Sequence, residues 1–72
     1  MTEPTAVGID VGATKAEAVR VTADATVQAR ALVDTPATDA RGAVAAMRTV
    51  AAEVVDPTTV AIGVGAAGHR RR

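Results

Sequence analysis

The chain has 72 residues, no Phe, Tyr, Trp or Cys, and eight Lys and Arg balanced by eight Asp and Glu to a formal net charge of zero. That length allows one small domain at most. Absence of cysteine excludes disulfide, thiol and thiolate–zinc chemistry, and the even charge gives no ground for expecting a nucleic-acid partner.

Apolar content that rests on Ala and Val buries little area per residue, against an ordering cost of about 1.5 kcal/mol per residue. The composition therefore predicts a piece of a larger unit or a homo-oligomer. The start, "MTEPTAV", lacks the basic residues and long apolar run of a signal peptide, and no stretch approaches the ~18 apolar residues of a membrane helix. A cytoplasmic protein with no membrane partner is expected. Arg70, Arg71 and Arg72 form a basic tail, so the remainder is acidic.

In chain order, "TAVGIDVG" (Thr5 to Gly12) sets Val7, Ile9 and Val11 against Ala6, Gly8 and Asp10, the period of a strand. "AEAVRVTA" (Ala16 to Ala23) alternates likewise, with Glu17, Val19 and Val21 on one face and Ala18, Arg20 and Thr22 on the other. So short a gap between them predicts a hairpin. "VQARALVDT" (Val27 to Thr35) follows a polar turn at Asp24 to Thr26, completing an antiparallel meander over residues 3–35.

Thr35-Pro36 closes that strand, and Asp39 suits the N-cap of "ARGAVAAMRTVAAEVV", which ends before Asp56-Pro57. Val44, Met47, Val50, Ala51, Val54 and Val55 recur at three and four residues and leave Arg41, Arg48 and Glu53 outside the stripe, which predicts an amphipathic helix over residues 39–56. "TVAIGVG" (Thr59 to Gly65) is nearly all apolar, the pattern of a strand covered on both faces. A strand, helix, strand crossover makes its two strands parallel in one sheet. The expected fold is α/β: β-β-β-α-β, a mixed sheet with one helix on one face and residues 66–72 as a tail.

The chemistry concentrates in "GIDVGATK", Gly8 to Lys15, which holds the only lysine of the chain. Asp10 ends the first strand, and Gly12, Ala13, Thr14 and Lys15 make the turn after it. A tight turn presents backbone N–H groups on one curve, and glycine lets backbone approach a ligand because it has no Cβ. Thr14 adds a hydroxyl donor and Lys15 a point charge, while Asp10 is placed to hold a divalent cation near the same phosphate oxygens. The plainer reading is also open: Asp, Gly and Thr are ordinary turn residues, and a lysine in a hairpin is commonly a solvated edge charge.

"GIDVGATKAEAV" resembles the first phosphate loop of the actin, sugar kinase and heat-shock ATPase superfamily. More narrowly, it is similar to the "DxGGTK" opening of the ROK family (repressor, open reading frame, kinase), which contains glucokinases, other sugar kinases and sugar-responsive repressors. "DTPAT" (Asp34 to Thr38), the helix, and "AIGVGAAG" (Ala61 to Gly68), similar to the family's "GIGxPG", extend the resemblance from about Thr5 to Gly68.

The resemblance implies a half-domain of the actin-like ATPase (ribonuclease H-like) fold and the activity of an ATP-dependent kinase of a hexose such as glucose. It implies ATP and Mg²⁺ as cofactors, with Asp10 helping to place the metal and Gly12, Ala13, Thr14 and Lys15 lining the phosphates. Gly65 and Gly68 would lie by the sugar. Ala13 departs from the pattern, standing where the family often has a second glycine. The family's catalytic Asp, its sugar-gripping Glu and His residues, its zinc motif and its second half-domain have no counterpart here, so a fragment inactive on its own is expected. "GHRRR" then reads as a truncated, solvated tail, with His69 lacking partners for a metal site.

Two alternatives stay open: a BadF-type ATPase or N-acetylglucosamine kinase, which open with a similar loop, and the sugar-sensing part of a ROK repressor. Gly63, Gly65 and Gly68 also spell the dinucleotide-binding G-x-G-x-x-G, but that motif requires a following helix and an acidic residue about 20 positions on. Only four residues follow Gly68.

Overall fold

The alternating first half of the chain becomes three strands: β1 (Thr5–Val11), β2 (Lys15–Val21) and β3 (Val27–Asp34). The second half supplies helix α1 (Ala40–Val54) and strand β4 (Thr59–Ala66). The computed structural model describes residues 3–35 and 40–66. Pro36, the expected N-cap Asp39, Gly68, His69 and the three terminal arginines lie outside the described residues.

The sheet order is β3-β2-β1-β4, with β1–β2 and β2–β3 antiparallel and β1–β4 parallel. This is the expected small α/β unit with a mixed sheet and one helix. The helix packs against β1, β2 and β3. Beneath it lie Val7 and Ile9 of β1 and Ala16 and Ala18 of β2, all buried. Alanine on β2 keeps the sheet surface low at that point, so the helix backbone can sit close and bury Ala46, Val50 and Val54 in successive turns. Of the seven buried apolar side chains, three are Ala, so the core is small, as the composition implies.

Two expectations are corrected. Within the predicted helix stripe Val50 and Val54 are buried and Met47 and Ala51 pack against the core, but Ala46 joins them, whereas Val44 and Val55 are exposed. The row Ala46, Val50, Val54 faces β1–β3, and Val44 and Val55 fall to its sides. The second correction concerns β4, expected to be covered on both faces. It falls at the edge of the sheet, beyond the helix, and Val60, Ile62 and Val64 are 73, 55 and 60% exposed. Its apolar sequence is thus unmet by a partner among the described residues.

The helix terminus is tied to the sheet through Arg20. Its Nη1 donates to the carbonyl of Val54 and lies 3.4 Å from Asp56 Oδ2, a cation where the helix dipole is negative. Asp56 also shapes the turn into β4, its Oδ1 accepting from Thr58 N at 2.9 Å and from Thr58 Oγ1. These bonds, chiefly the Thr58 hydroxyl, hold the Asp56 carboxyl below the usual range. No helix among the described residues is long and apolar enough to cross a membrane.

Candidate functional site

β1 and β4 run parallel, so their carboxyl ends share one rim of the sheet, the position where open α/β sheets ordinarily bind ligands. Asp10 stands near the end of β1 and is the register partner of Gly65 on β4, bringing together two residues singled out separately in the sequence. Both belong to the face opposite the helix. On that face Gly8, Gly63 and Gly65 leave a strip without side chains across β1 and β4. The result is a depression of about 500 Å³, bounded by Asp10, Glu17 and Val19.

The hairpin loop continues from the same strand end. Gly12 N donates to Lys15 O at 2.8 Å, closing the loop, and a Cβ on Gly12 would lie 3.2 Å from that carbonyl oxygen. A side chain there would crowd that carbonyl, so glycine suits the close approach within the loop itself. Neither Gly12 nor Ala13 has a positive φ, so alanine at position 13 carries no backbone strain. The expected cradle of amides is narrower than the sequence suggests, because the Gly12 amide is committed internally. The amides of Ala13 and Thr14 have no partners among the described residues, and both residues are exposed. The Thr14 hydroxyl extends that small set of donors.

Lys15 Nζ lies 2.6 Å from Asp34 Oδ1. The lysine's hydrogen bond, then its charge, hold the Asp34 carboxyl below the usual range. Asp34 is the register partner of Lys15, and the next residue, Thr35, donates its N–H to Thr14 O at 2.8 Å. The end of β3 is thereby fastened to the loop. On the same open face Arg30 Nε lies 3.1 Å from Glu17 Oε2. Asp10, the register partner of Glu17, has no ion-pair partner among the described residues.

The rim thus carries two cations, Lys15 and Arg30, against three carboxylates, Asp10, Glu17 and Asp34. A bare polyphosphate would meet a slightly negative surface, so the donors of the loop suit phosphate only if a cation accompanies it. Asp10 fits that role as a single exposed carboxylate. No group of three or more His, Cys, Asp or Glu able to hold a metal occurs among the described residues, and Mg²⁺ commonly needs only one or two carboxylates when phosphates and water complete its shell. Gly68, expected beside Gly65, lies outside the described residues.

Sequence reasoning did not identify Asp34, Arg30, Gly8 or Gly63 as parts of this rim. Comparison of the sequence with protein-family models and with curated proteins finds no match to either.

Proposed function

We propose that this chain is the phosphate-binding part of an actin-like ATPase fold of the ROK sugar kinase type. In that role it takes ATP with Mg²⁺ for phosphorylation of a hexose, in the cytoplasm. The observation that carries the reading is the meeting of Asp10, the Gly12–Lys15 loop and Gly65 at the shared carboxyl rim of β1 and β4. Ala13 N–H, Thr14 N–H and Thr14 Oγ1 bind phosphate oxygens, Lys15 supplies charge, and Asp10 orients the metal. The magnesium, when bound, neutralises phosphate charge that the rim itself repels. Gly65 and its glycine neighbours on the open face leave room beside the phosphates for a flat, hydroxylated substrate.

Phosphoryl transfer depends on positioning and charge stabilisation from several loops together. Among the described residues the rim offers a carboxylate and donors but no pair of groups arranged to deprotonate a sugar hydroxyl, so in this reading the chain contributes the phosphate site and not the catalytic base. The bare open face and the exposed edge of β4 fit a unit that packs against further structure.

Displacement of a fluorescent ATP analogue by ATP with Mg²⁺ tests this. The expected result is saturable binding, weakened about three- to tenfold by Lys15→Ala, with no hexose phosphorylation. Absence of nucleotide binding contradicts the phosphate assignment, and measurable phosphorylation by the 72-residue chain contradicts the placement of the base.

A further inference from the structure

The only cation of the loop is already occupied. Lys15 Nζ is 2.6 Å from Asp34 Oδ1, and the carboxylate is fixed there by strand register and by the Thr35 N–H to Thr14 O bond rather than by a chance side-chain contact. The remaining cation of the rim, Arg30, is paired with Glu17. An anion arriving at the loop therefore meets a lysine whose charge is answered from within the chain.

We propose that Asp34 is a built-in counter-ion that competes with the bound anion for Lys15, so the loop accepts phosphate only by displacing a carboxylate from the ammonium. This rests on the reading of Gly12–Lys15 as a phosphate loop. Its consequence is discrimination by charge: a monoanion offers Lys15 little that Asp34 does not already provide, whereas a polyphosphate brings several charged oxygens and its own cation. Asp34 is a positioning and selectivity residue here, acting through Lys15. Both side chains are well exposed, so the competition is of modest strength.

Calorimetric titration of the full chain with ATP and Mg²⁺ tests the proposal, using wild type, Asp34→Asn, Asp34→Glu, Lys15→Gln and the Lys15→Gln/Asp34→Asn double variant. The expected result is binding about two- to fivefold tighter in Asp34→Asn, from the usual strength of an exposed ion pair. Asp34→Glu, which keeps the charge, should stay near wild type and separates charge from any change in shape. The double variant should bind like Lys15→Gln alone, because removing the counter-ion helps only while the lysine is present.

Wild-type binding with no gain in Asp34→Asn overturns the proposal and leaves the phosphate loop standing. So does an equal gain with and without Lys15, which marks a general field effect. Absence of binding in every form overturns the phosphate loop and this inference with it.

Discussion

Replacing Val50 by alanine tests how the helix is seated, on which the position of the whole rim depends. Val50 is 0% exposed. The change removes two methyl-sized groups at about 0.8 kcal/mol each, or about 1.6 kcal/mol. The unfilled space adds to that loss, while the better helix propensity of alanine offsets about 0.5 kcal/mol. A net destabilisation of about 1.5–2 kcal/mol is expected, a drop of about 10 °C in Tm for a domain of this size. Val44→Ala is the matched control: it makes the same chemical change in the same helix at a site that is 46% exposed, where the smaller burial loss and the propensity gain nearly cancel. Thermal and urea unfolding followed by helical circular dichroism reads both. Equal losses for the two variants, or a larger loss at Val44, would refute the orientation of α1 and place Val44 among the buried positions.

Ala25 has a φ of 69°, in the left-handed region that costs an L-residue about 1–2 kcal/mol. Ala25→Gly should therefore raise stability by about 0.5–1 kcal/mol after the entropy cost of glycine, and a lower Tm would count against the turn geometry. Nothing lies within 4 Å of a Cβ built on Gly65, and its φ is not positive, so Gly65→Ala should change the unfolding free energy from urea titration by less than about 0.5 kcal/mol. A large loss there would show that the open face is packed.

Asp24, Asp34 and Asp56 are each held below the usual carboxylate range, chiefly by hydrogen bonds from Thr22, Lys15 and Thr58 respectively. A depressed folded pKa contributes stability that is present above the unfolded value, about 3.9, and lost as pH falls through the folded one. Unfolding midpoints should be level from about pH 7 to 5 and fall below about pH 4, with a shallower fall in Asp56→Asn. A fall centred near neutrality would contradict this assignment.

The succession of strands and helix along the chain was legible because each element carries its own local signal. Alternation marks β1 and β2, and three- and four-residue spacing marks α1. Asp10 and the loop were legible for the same reason, being contiguous. What was not legible depends on where elements lie relative to each other. The apolar run of β4 describes a strand that can be covered, but its position at the sheet edge comes from topology.

The Lys15–Asp34 pair was hidden by one residue of register. Val21 pairs with Val27, yet Arg20 pairs with Ala29, so the ladder skips Gln28. Counting back from the turn without that bulge would set Lys15 opposite Val33 and turn Asp34 to the other face. The glycine strip is likewise a product of pairing, since Gly8 and Gly63 are 55 positions apart in sequence and become neighbours only through the parallel β1–β4 register. Val44 in α1 and Val55 just past its end satisfy the helical period but sit beside the contact line, which is centred on Ala46, Val50 and Val54.

The most direct test of the central claim is an amide proton–nitrogen correlation spectrum of the labelled chain, titrated with ATP and Mg²⁺. The account predicts shifts concentrated at Ala13, Thr14 and Lys15, extending to Asp10 and Gly65, with the helix amides of Val50 and Val54 unmoved. A spectrum that does not change, or one whose shifts lie away from the rim, would contradict it.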